Sequence, residues 1–174
     1  MNLLRAAVAA LAVCVAVVLQ VSVFPHLAWD GIVPDLCLLV VVGAALARGP
    51  HFAAVLGFAA GVVLDLAPPA DHLAGRWALA LVLVGYVAGR VRQDARPNAS
   101  TVVVTVAASS FVGTSVFALS GLFLGDSSAS VGDLLQVALV ALVLDTVAAL
   151  LVVPATYWLF RRLGRERGAQ GLWA

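Results

Sequence analysis

Residues 57–76 read GFAAGVVLDLAPPADHLAGR, a run of small and apolar residues into which one carboxylate, Asp65, is set. The surrounding composition decides what kind of helix this is. Of 174 residues, 63% are hydrophobic and 11% are charged, and the mean hydropathy is +1.09. A soluble domain of this size could not cover so much apolar surface with so few charges. The outside of the fold therefore faces lipid, and Asp65 belongs to a membrane span.

Outward from this stretch, apolar runs near the ~20 residues that a bilayer requires recur at about 6–24, 32–48, 51–67, 73–89, 100–124 and 133–160. Turn-like segments separate them: FPHLAWDG, RGPH, APPAD, RQDARPN and GDSSASVGD. No linker is long enough for a soluble domain, so residues 1–174 read as one integral membrane domain with a short basic tail over 161–174. The first run follows Arg5 as a secretory signal would. It continues unbroken for about 19 residues with no small-residue cleavage site after it, and is expected to be an uncleaved helix. The fold class expected is all-α, a polytopic bundle of six transmembrane helices.

Arginine placement orients the bundle. With the N-terminus inside, Arg5, Arg48, Arg90, Arg92, Arg96, Arg161, Arg162, Arg165 and Arg167 fall on the cytoplasmic side, and only Arg76 falls outside. That asymmetry predicts both termini in the cytoplasm. Trp29 and Trp77 then mark the outer boundary and Trp158 the inner one, and the tail is placed to meet anionic headgroups. Four-residue spacing of small residues predicts close helix contacts: Gly57 with Gly61, Gly85 with Gly89, and Thr105, Ser109, Gly113 and Gly121 along the fifth span.

At ~1.5 Å per helical residue, Asp35 lies ~20 Å and Asp65 ~25 Å above Arg48, Asp145 ~24 Å above Arg161, and Arg76 ~21 Å above Arg90. Three acids and one base thus share a level in the outer leaflet, where an isolated carboxylate costs about 2.5–3.5 kcal/mol at worst. Mutual satisfaction around Arg76, which has five donors, predicts an intramembrane polar cluster of Asp35, Asp65, Arg76 and Asp145. Simpler roles stand beside it. Asp35 follows Pro34 at a helix start, and Asp65 could end its span. Asp145, inside ALVLDTVAALL, has apolar sequence on both sides and is assigned a functional or internal-packing role. Asp71 and His72 read as loop residues. VVLD at 62–65 recurs as LVLD at 142–145, a faint echo of inverted repeats.

The chemistry of an enzyme is missing. There is no H-E-x-x-H, no G-x-S-x-G, no phosphate-binding loop and no dinucleotide fingerprint. Gly125-Asp126 lacks a second embedded aspartate, and the hydroxyls of the fifth span have no histidine or lysine at their depth. Cys14 and Cys37 lie in apolar runs and read as small hydrophobes. His26, His51 and His72 have no ligand spacing. No metal, cofactor or nucleic-acid partner is expected.

Residues 32–92 resemble the bacterial rod shape-determining protein family MreD. The resemblance is carried by Pro34-Asp35 opening the second span and Arg48-Gly49-Pro50 at the inner turn. Gly57-Phe58 with Gly61 and Asp65 follow, then Gly85-Tyr86 with Gly89 before a basic loop. The loop APPADHLAGRW (67–77) departs from the Gly-rich loop of many members and fits an actinobacterial type. The resemblance implies a non-enzymatic plasma-membrane component of the elongation machinery. Implied partners are MreC, the RodA glycosyltransferase, a class B penicillin-binding protein and, indirectly, MreB. It also implies a fold similar to the substrate-binding subunits of energy-coupling-factor transporters. A vitamin-type carrier subunit is the competing expectation, and it requires a cavity on the order of 300 Å³ or more near the acids.

Overall fold

The computed structural model describes residues 3–29, 31–68, 73–91, 98–125 and 130–165. They form six α-helices: α1 (Leu3–Ser22), α2 (Leu36–Arg48), α3 (Pro50–Leu66), α4 (Arg76–Arg90), α5 (Ala99–Phe123) and α6 (Val131–Arg165). A short 3-10 turn, Phe24–Leu27, follows α1. Among the described residues only α1 with its extension, α5 and α6 are both long and apolar enough to cross a membrane, while α2 and α3 are apolar but shorter.

Two helices begin later than the apolar runs suggest. The second starts at Leu36 rather than near residue 32, because Pro34 and the capping carboxylate of Asp35 precede it. The fourth starts at Arg76 rather than 73, after Gly75 in the left-handed conformation, φ 102°. At 13 and 15 residues they are only ~20 and ~22 Å long. Asp71, His72, Arg92, Arg96, Asp126 and the tail beyond residue 165, all assigned above from sequence, lie outside the described residues.

Helix α2 is the axis of the bundle. Every residue from Leu36 to Leu46 is buried, and α2 packs against all five other helices, which is why its sequence is apolar all round. The chain then reverses at Gly49, φ 87°, with Pro50 opening α3.

Helices α3 and α4 form the closest pair, joined backbone to backbone. A methyl group on Gly57 would meet the carbonyl of Leu81, on Gly61 the backbone of Ala78, on Gly85 the carbonyl of Ala53, and on Gly89 the backbone of Pro50. The four contacts keep one antiparallel register along the seam. Ser109 and Gly113 are buried on α5. Gly113 faces Leu38 and Val84 at 3.0 and 3.2 Å from an added methyl, so this stripe touches α2 and α4.

Helix α6 runs parallel to α2. Asp145 meets Asp35 near its middle, Thr156 fills the notch left by Gly43, and Gly164 lies beside Arg48. Pro154 interrupts its hydrogen-bond ladder. Thr156 donates to Val152 O and Val153 O at 2.8 and 3.1 Å. Helix α1 attaches through one face, Ala9, Val13, Ala16, Val17 and Gln20.

The outward faces are apolar, with Leu3, Leu11, Val55, Leu66, Val104, Phe123, Val147 and Leu151 all exposed. An apolar exterior of that extent is built for lipid. Helix direction puts Arg5, Arg48, Arg90, Arg161 and Arg162 at one end of the bundle. Arg76 is at the other.

A candidate functional site at the arginine-poor end

A helix that begins inside a bundle exposes amide donors with no intrahelical partner, and in an apolar layer no water satisfies them. Both short helices begin this way, and the aspartates supply the acceptors. At the start of α2, Asp35 N–H donates to Asp145 Oδ1 at 2.6 Å. Cys37 N–H donates to Gln20 Oε1 at 3.2 Å, and Leu38 N–H donates to Asp35 Oδ1 at 2.9 Å. Acceptors from α6, α1 and the cap itself therefore close one helix start. Asp145, 1% exposed, also accepts from Ser110 Oγ at 2.6 Å, which ties α5 to the same point.

Asp65 does the equivalent for α4. Its carboxylate accepts from Gly75 N–H at 2.9 Å and from Trp77 and Ala78 N–H at 3.1 Å each. A carboxylate receiving three amides at a helix N-terminus is also favoured by the helix dipole. The alternative in which Asp65 merely ends its own span is incomplete, because it starts the next one.

Arg76, the first residue of α4, reaches across to α5. Its Nη2 donates to Phe117 O at 2.8 Å and its Nε to Ser120 Oγ at 3.4 Å. The guanidinium lies 4.0 Å from the Phe117 ring centroid, and Gly121 leaves room for it. Trp77 stacks on the same ring at 4.4 Å.

The four charged residues are thus arranged in two groups rather than around one guanidinium. Asp35 and Asp145 contact each other, and among the described residues neither has a cation partner. Asp65 and Arg76 share the start of α4. On α5 the two groups touch Ser110 and Phe117, seven residues or ~10 Å apart, so the common depth inferred from helical rise does not hold. Arg76 sits further toward the arginine-poor end than Asp145.

Between these groups and the α1–α2 connection lies a cavity of about 620 Å³, mostly apolar, whose lining includes Gln20, Arg76, Trp77, Thr114, Phe117 and Leu134. Asp35, Asp65 and Asp145 are not part of that lining. No set of three or more His, Cys, Asp or Glu side chains among the described residues could hold a metal, and both cysteines are free thiols. Sequence reasoning passed over Gln20, Ser110, Phe117 and Ser120. Gln20 was the best signal available, an amide alone within the apolar run of α1.

The class these features define is an all-helical, membrane-type protein whose buried carboxylates serve helix starts and close packing. Its family follows from direct comparison. A family model for rod shape-determining protein MreD matches residues 2–163, and the chain belongs to that family. It is accordingly a cell-shape-determining membrane protein of bacterial type. Neither curated proteins nor solved structures give a match.

Proposed function

We infer that this protein is a non-enzymatic, multi-pass scaffold of the cytoplasmic membrane, regulating lateral peptidoglycan synthesis within the cell-elongation machinery. In this reading it binds MreC and, with it, RodA and a class B penicillin-binding protein, with MreB linked indirectly. Both termini face the cytoplasm, as the arginines gathered at one end of the bundle favour. The observation that carries the reading is the family match over residues 2–163. The site is consistent with it, since Asp65, Asp145 and Asp35 accept from helix amides and among the described residues the 620 Å³ cavity is lined by none of the three. Affinity capture from membranes with and without MreC tests it: RodA and the penicillin-binding protein should be retained in an MreC-dependent way. Equal recovery of both in the two membranes, or of neither, would count against a scaffold built on MreC.

The 620 Å³ cavity favours a second reading, a vitamin-type substrate-binding subunit resembling those of energy-coupling-factor transporters. It exceeds the ~300 Å³ lower bound for small-molecule sites, and Trp77 and Phe117 offer aromatic surface. A vitamin retained through purification in stoichiometric amount would decide for this reading.

A further inference from the structure

At the arginine-rich end, charge and aromatic rings recur together. Arg162 lies 3.7 Å over the Trp158 ring, Arg161 5.8 Å from that of Tyr157, and Arg90 hydrogen-bonds Tyr86 Oη at 3.5 Å. Each pair is spaced i, i+4 on the last turns of α6 or α4. Arg162 is exposed, and among the described residues no carboxylate pairs with it.

The Arg162–Trp158 pair stands at the mouth of a groove. Helices α1 and α6 leave between them, over α2, a furrow of about 510 Å³ lined by Val8, Leu11, Val15, Leu151, Ala155 and Leu159 among others, with almost no polar surface. Its one hydroxyl, Thr156, is turned back onto its own helix. The lining spans ~16 Å along α1 and ~12 Å along α6. Leu159 is its last α6 residue and Val8 its first α1 residue, so Arg162 and Arg5, one turn beyond each, flank the same end.

We propose that this furrow is a binding site for one anionic phospholipid, with an acyl chain laid between α1 and α6 and the phosphate at Arg162 over Trp158. The lining suits the occupant: it is apolar along its ~12–16 Å length, and a single extended hydrocarbon chain lies along such a channel with no polar group left unpaired. Charge selects the headgroup, because a guanidinium with no carboxylate partner among the described residues favours, at the mouth, a phosphate with net negative charge. A soluble acidic peptide has nothing to lay along Leu151 and Leu11.

Native mass spectrometry of the full-length protein, titrated with dioleoyl phosphatidylglycerol or dioleoyl phosphatidylcholine, tests the site. Wild type should hold one phosphatidylglycerol in preference to phosphatidylcholine. Arg162→Gln should reduce that preference about fivefold, the share of one basic residue at an anionic surface. Ala155→Trp, which fills the exposed furrow without touching the core, should lower binding of both lipids while the unfolding midpoint stays near wild type. Unchanged phosphatidylglycerol binding in Ala155→Trp, or equal affinity of wild type for the two lipids, would overturn the proposal. Loss of a co-purifying membrane protein from Ala155→Trp with lipid adducts intact would also overturn it, and would give the furrow to a partner helix.

Discussion

Replacing Asp65 measures how much a helix start inside the bundle depends on its borrowed acceptor. Asp65→Ala strands three amides at once: Ala78 N–H in a buried position, Trp77 N–H half-buried, and Gly75 N–H near the surface. Hydrogen bonds to a charged acceptor contribute about 1.5–3 kcal/mol each when buried, and a lost cap alone about 0.5–2. Weighting the three by burial gives a loss of about 3–5 kcal/mol, or roughly 6–20 °C in midpoint for a chain of this size. Asp65→Asn keeps one carbonyl oxygen for Ala78 N–H and loses the charge–dipole attraction, so about 1–2 kcal/mol should go. Asp133→Ala is the control, because that cap is made with Ser130 on the exposed start of α6, and its midpoint should stay near wild type. Thermal unfolding in detergent, followed by tryptophan fluorescence, ranks the three. A midpoint for Asp65→Ala equal to that of Asp133→Ala or of Asp65→Asn would refute the capping argument.

Close packing makes its own forecast. Gly61→Ala drives a methyl into the α4 backbone, whereas Gly113→Ala meets only side-chain tips of Leu38 and Val84, which can rotate. The first should cost about 1–3 kcal/mol and the second clearly less, read from the same unfolding scans. Asp145→Ala leaves Asp35 N–H and Ser110 Oγ without their acceptor, an expected loss of about 2–4 kcal/mol. The double variant Asp145→Ala/Ser110→Ala should be less than additive, as a double-mutant cycle would reveal. Arg76→Ala should lower the midpoint and change the emission of Trp77 by freeing the Phe117 ring. Unchanged stability and an unchanged spectrum would remove any anchoring role for that guanidinium.

Helices were easy to read because lipid demands them: each long apolar run could only be helical. The glycine seam was also legible, since Gly57, Gly61, Gly85 and Gly89 carry their four-residue spacing openly. Depth was harder. Counting residues from the cytoplasmic arginines gives backbone levels on the assumption of straight, parallel helices, and says nothing of which groups a side chain meets. On that basis Asp35, Asp65, Arg76 and Asp145 read as one network, whereas Arg76 reaches Phe117 and Ser120 on α5 and Asp145 meets Asp35 and Ser110. What sequence could not supply was the demand side, the free amides of Leu38, Cys37 and Ala78, because backbone donors look alike at every position. Asp35 as a cap was foreseeable from Pro34, and that simpler role is the one its Oδ1 performs.

The unequal helix lengths carry a mechanical consequence. The α3–α4 flank is 17 and 15 residues long and the α5–α6 flank 25 and 35, that is ~22–25 Å against ~37–52 Å. A hydrocarbon layer of ~30 Å is too thick for one side and too thin for the other. Lipid wrapping this wedge must be pinched on one flank and stretched or tilted on the other, at fractions of a kcal/mol per ångström of mismatch. Neighbours with the opposite profile would relieve that strain, which gives the two flanks of the bundle unequal preferences for bilayer thickness.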